Sequence, residues 1–144
     1  VVSFQTFMTG ELFALLSQHS VLRHGMAGEG ADEAAFSQGL ADAMERPEKI
    51  SARLFTLRAE GLLNDLPPAS ARARLSGLLI GLELAAAKPY WLGQRIALIG
   101  AEALSARYAT ALSAQGVASE TLDATACTLA GLAAARGVLQ KVQP

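Results

Sequence analysis

A four-residue apolar run, Ile96 to Ile99, meets Gly100 and then a helical period in "RIALIGAEALSARYATALSAQG", Arg95 to Gly116. No other stretch constrains the fold as tightly. The run has the length of a buried strand, and Leu104, Tyr108 and Leu112 recur at i, i+4 and i+8, the spacing of one helix face. A strand, a glycine turn and a helix in that order form a corner of an α/β fold. In open α/β sheets such corners lie at the carboxyl ends of the strands, where ligands bind. A glycine at the turn lets a ligand approach the backbone closely.

The rest of the chain predicts many helices and few strands. Val1 to Phe7 alternates Val/Phe with Ser/Gln/Thr and reads as a strand with one buried face. Thr9 is placed as the cap of a helix from about Gly10 to His19, with Leu12, Phe13, Leu15 and Leu16 as its apolar stripe. Val21 to Gly30 holds Gly25, Gly28 and Gly30 and reads as a surface loop. Asp32 caps a second helix carrying Phe36, Leu40 and Met44. Pro47 suits the first turn of a third, which runs through Leu54, Leu57 and Leu62. "NDLPP", Asn64 to Pro68, stops that helix and starts the next. From about Ala69 to Ala87 the sequence is apolar on nearly every side after Leu75, the mark of a buried helix. "KPYWLG", Lys88 to Gly93, reads as a loop. Gly116 is a C-cap, Val117 to Leu122 a short strand, and Asp123 the cap of a last Ala-rich helix with Leu129, Leu132 and Val138 on its apolar side. Three short strands are few for a sheet. With a first residue that is not Met, this predicts a fragment: the C-terminal part of a longer protein whose first strands lie upstream.

Several function classes drop out. A net charge of −1 provides no basic footprint for nucleic acid. The longest apolar run, near Leu78 to Ala87, is interrupted by Glu83 and is too short to cross a bilayer. One cysteine, Cys127, allows neither an intrachain disulfide nor a cysteine-based zinc site, and is expected to be a small buried side chain rather than a nucleophile. His19 and His24 have no metal-ligand spacing, so no metal site is assigned and both are read as structural or solvent-facing. No Ser-His-Asp set can be assembled, and no catalytic residue is assigned to this chain. "LIGAEAL" holds one glycine rather than a G-x-G-x-x-G set, which argues against a Rossmann-type nucleotide enzyme.

The remaining candidates each have two readings. Gly100 and Ala101 form either a plain turn or a flat backbone surface for an adenine or ribose, with free N–H groups at the helix start. Gly77 and Gly81, four apart on the buried helix, share a face; each costs about 1 kcal/mol of helix propensity, so a second backbone or a ligand packs there. Ser76 precedes that face. Glu83 follows it in an apolar setting, where a carboxylate pairs with an arginine, caps a backbone group or does chemistry. Thr9, Gly10 and Glu11 in "TFMTGEL" form either an ordinary helix start or one side of a sheet-end cleft. Arg58 either meets an acidic substrate or, the favoured reading, forms an ion pair with Glu83 or Glu11; Tyr90 and Trp91 are expected as an apolar lid over the core rather than a stacking platform.

Three segments, "SFQTFMTGELFALLSQHSVL", "LSGLLIGLEL" and "IALIGAEALSARYATAL", resemble the C-terminal half of bacterial 2-dehydro-3-deoxygalactonokinases. "LFTLRAEGLL" falls between the first two in the expected order, and the resemblance runs over essentially the whole chain. The family consists of sugar-acid kinases of the actin/hexokinase/Hsp70-type ATPase superfamily. The resemblance implies one RNase-H-like lobe, helix-rich α/β with an incomplete sheet, spanning 1–144. It implies transfer of the ATP γ-phosphate to the 6-hydroxyl of 2-dehydro-3-deoxy-D-galactonate, with Mg²⁺, in the cytoplasm. A missing N-terminal lobe would carry the catalytic carboxylate and the metal site, and the fragment alone would be inactive. "LIGAEAL" then takes the adenosine-motif position, so Gly100, Ala101, Ser76 and Gly77 are the nucleotide-side residues and Thr9, Gly10 and Glu11 the substrate side of the cleft. Many superfamily members have a second glycine where this chain has Ala101. The alternative is a non-catalytic helical interaction domain. The sequence leaves the oligomeric state open, a homo-oligomer included.

Overall fold

A computed structural model describes residues 2–27 and 30–142, with side chains to residue 140. The chain divides into two compact units, Val1–Tyr90 and Trp91–Pro144.

The first unit is helical: α1 (Thr9–Gln18), α2 (Glu33–Glu45), α3 (Ile50–Leu63) and α4 (Pro68–Ala86), with 3-10 turns at Val21–Gly25 and Pro47–Lys49. Helix α4 is the central element. Ten of its residues are buried, as its all-round apolar sequence predicts. Leu75, Leu78 and Leu79 join Leu22, Met26 and Leu57 in the core, against which Leu12, Phe13 and Leu16 of α1 pack. Helix α2 lies against α4 so closely that glycine is required on both. A Cβ at Gly77 would collide with the Phe36 carbonyl oxygen and come within 2.8 Å of the Leu40 nitrogen. At Gly81 it would meet Ala43 Cβ and the Leu40 carbonyl at 2.8 Å, and at Gly39 it would run into the Arg74 carbonyl. Of the two readings of the glycine stripe, backbone packing is therefore the one observed.

The buried guanidinium of the unit is that of Arg74 on α4, which donates to Glu60 of α3 and, at 3.5 Å, to Asp42 of α2. Arg53 approaches the same Asp42 carboxylate at 3.6 Å. Asp32 caps α2 as expected: Oδ1 accepts from Ala35 N–H at 2.9 Å, and Oδ2 accepts from the Ser70 hydroxyl at 2.6 Å. The Ser70 bond, then the Ala35 N–H, holds this carboxyl below its ordinary range.

Three local expectations fail here. Val2 to Phe7 forms no strand and is exposed, Phe4 at 80%. The alternation supplies one apolar face, but a strand also needs a partner for its backbone groups, and none of the described residues offers one. Val1 lies outside the described residues, as do Gly28 and Glu29 of the expected glycine loop. That loop is in fact partly ordered: Val21–Gly25 is a 3-10 turn, with Leu22 and Met26 in the core. Pro47 opens a 3-10 turn ahead of α3 rather than α3 itself.

A short helix, α5 (Lys88–Trp91), replaces the expected loop; Trp91 is buried while Tyr90 is exposed. The second unit then contains β1 (Ile96–Gly100), α6 (Glu102–Ser113), β2 (Ser119–Asp123) and α7 (Ala124–Val142). Strands β1 and β2 pair in parallel, Ile96 opposite Ser119 through Gly100 opposite Asp123, with α6 as the crossover. Gly116, at φ +75°, closes α6: its N–H reaches the Ser113 carbonyl at 2.9 Å and that of Val117 reaches Leu112 at 3.0 Å. Asp123 caps α7 by accepting from Ala126 N–H at 2.6 Å. The expected apolar side of α7 is not covered: Leu129, Leu132 and Val138 are all more than 60% exposed. Cys127 is free and half-buried rather than buried. No helix among the described residues is long and apolar enough to cross a membrane.

Candidate functional site

In the second unit the corner forms where it is expected. β1 ends at Gly100 beside Asp123 of β2, and Ala101 turns the chain in extended geometry (φ −62°, ψ 136°) into α6. The N–H groups of Leu104 and Ser105 both bond to the Ala101 carbonyl, at 3.1 and 2.9 Å, and no side chain caps the helix. Gly100 and Ala101 are exposed. Glycine at 100 is required neither by its backbone, which is not left-handed, nor by packing. The nearest atom to a Cβ there would be Ser105 Oγ at an ordinary 3.6 Å. Gly77, by contrast, is fully accounted for by the α2 backbone, which occupies the face a ligand would need. Its packing against α2 accounts for the glycine without any ligand. Ser76 is half-buried on α4 in the first unit.

In the first unit "TFMTGEL" starts α1, with one change. Met8, not Thr9, is the N-cap residue, and it makes no side-chain cap bond. Thr9 is the first helical residue, and its hydroxyl donates instead to the Glu83 carboxylate on α4. The sequence reading anticipates arginine or backbone partners for Glu83, not this threonine 74 residues away. Thr9 and Glu83 line a recess of about 340 Å³ whose remaining walls are mainly apolar, among them Phe7, Leu12 and Leu79. Gly10 and Glu11 are exposed, and a Cβ at Gly10 would meet nothing within 4 Å. The ion pairs expected of Arg58 are not formed. His19 and His24 are exposed, as expected. Among the described residues no three His, Cys, Asp or Glu side chains gather in a way that would hold a metal ion.

The chain belongs to the 2-keto-3-deoxy-galactonokinase family, whose model it matches over residues 1–135. It is 40% identical over 139 residues to a Rhizobium meliloti protein named "Probable 2-dehydro-3-deoxygalactonokinase", covering 94% of this chain and 45% of that protein. It is 40% identical over 114 residues to the 2-dehydro-3-deoxygalactonokinase of Escherichia coli K12, covering 78% and 39%. A crystal structure of a Sinorhizobium meliloti protein assigned the same enzyme name superimposes with a TM-score of 0.88 at 39% identity, over 95% of this chain and 47% of that one. The chain thus spans less than half the length of the relatives it matches.

Proposed function

We propose that the intact protein carrying this chain is a 2-dehydro-3-deoxygalactonokinase. It transfers the γ-phosphoryl group of ATP to the 6-hydroxyl of 2-dehydro-3-deoxy-D-galactonate, a cytoplasmic step of D-galactonate breakdown. The observation that carries this reading is the 40% identity to a relative of that name over 94% of the chain. The chain is read as one C-terminal, RNase-H-like lobe of an actin-like ATPase, with further strands completing the β1–β2 pair and an N-terminal lobe facing it. The exposure of Ile99 on β1 supports that reading, because parallel sheets are ordinarily covered on both faces.

Phosphoryl transfer depends on positioning and charge stabilisation more than on covalent chemistry. In this reading Gly100 and Ala101 present flat, side-chain-poor backbone to the adenosine. Thr9, Gly10 and Glu11 face the substrate side, with Glu83 fixing the Thr9 hydroxyl. Mg²⁺ would neutralise phosphate charge, but the described residues provide no ligand set for it. The metal site and the catalytic carboxylate are assigned to the remainder of the protein. A coupled ADP-release assay of the intact protein tests this. ADP should appear with 2-dehydro-3-deoxygalactonate and ATP together; no release above the ATP-only rate contradicts the proposal.

A further inference from the structure

Arginines that are half-buried or buried in the first unit have partners, with one exception. Arg53 reaches Asp42, Arg74 reaches Asp42 and Glu60, and the Arg72 guanidinium lies 4.8 Å from the centre of the Phe13 ring. Arg58, half-buried on α3, has no hydrogen-bond or ion-pair partner among the described residues. A cation drawn partly out of water without an anion is unfavourable unless something supplies one.

Arg58 lines a recess of about 310 Å³ formed by the 3-10 turn Val21–Gly25, α3 and the start of α4. That volume is at the low end for small-molecule sites. Its floor is apolar, with Leu22, Met26, Leu57 and Ala71 all buried. His24 stands at the rim as a second group able to donate to an anion. Asp65 also lines the recess but is exposed, so its charge is screened by water. Beyond it the wall continues through Pro67 and Pro68, whose rings fix their own φ. The recess is separate from the Thr9–Glu83 recess, since Ala71 and Glu83 are about 18 Å apart along α4.

We infer that this recess binds a small organic carboxylate, its head on the Arg58 guanidinium and its apolar body over Leu22, Met26 and Leu57. The planar fork of arginine matches a carboxylate, and the floor favours a ligand with a hydrocarbon part over a bare inorganic anion. This inference does not rest on the kinase reading, because it concerns another recess and a binding readout.

The test is calorimetric titration of the intact protein with hexanoate, with 1-hexanol and inorganic phosphate as comparison probes. Hexanoate should bind saturably and more tightly than either. Arg58→Gln should weaken it about tenfold, the loss expected for a charge-assisted bond. Gly61 lines the same recess and a Cβ there meets nothing within 4 Å, so Gly61→Leu should fill the recess and abolish binding while leaving the melting curve unimpaired. That variant keeps the test valid if Arg58→Gln folds poorly. Absence of saturable binding, equal binding of 1-hexanol or phosphate, or full binding by a folded Gly61→Leu protein would overturn the inference.

Discussion

Alanine at position 77 would press its methyl group into the Phe36 carbonyl and the Leu40 nitrogen, both backbone atoms of α2. The helices cannot separate without opening the core, so Gly77→Ala should cost about 3 kcal/mol, read as a lower denaturant midpoint. Gly100→Ala should leave stability within about 0.5 kcal/mol, because its Cβ would make only an ordinary contact with Ser105. If the Gly100 corner is the adenosine wall, that variant should raise the apparent KM for ATP about tenfold by keeping the base off the backbone. The pair separates glycine kept for packing from glycine kept for approach. In sequence the two are indistinguishable: Gly77 and Gly100 both sit beside apolar runs, and only the position of α2 decides. Arg58 is similar. Its residue type and spacing suggest an ion pair, but Glu60 and Asp42, which α3 and α2 present to the core, are taken up by Arg74.

At the level of the element, features written within a few residues were legible. Asp32 and Asp123 cap as read because a cap bond spans only three residues. Gly116 closes α6, and α4 is buried because its sequence is apolar on nearly every side after Leu75. What was illegible depends on distant partners. The segment before α1 has strand periodicity but no neighbouring strand among the described residues. Thr9 has the look of a cap, yet its hydroxyl goes to Glu83. The Asp32 cap carries a pH prediction. Its carboxyl is held below the ordinary value of 3.8 by Ser70 and Ala35. A depressed folded value means the charged cap stabilises fully above that ordinary value, and the contribution is lost as pH falls through the folded-state value. Thermal melts from pH 6 down to pH 2 should therefore show a fall in stability below about pH 4, and Asp32→Asn should flatten that part of the profile. An unchanged acid profile in the variant would remove Asp32 as its source.

For the whole molecule, the α/β class and the family were readable because the corner and "TFMTGEL" are local patterns in a recognisable order. The division into a helical unit and a βαβ unit was not, since it depends on which faces pack together. The chain spans less than half the length of the relatives it matches, and the strand–helix corner is the proposed adenosine wall. The most direct test of that claim is photolabelling of the intact protein with 8-azido-ATP, followed by tryptic mapping. Cleavage after Arg95 and Arg107 isolates residues 96–107, which contain β1, Gly100 and Ala101. The label should appear in this peptide and be displaced by unlabelled ATP. Displaceable label confined to other peptides would contradict the assignment.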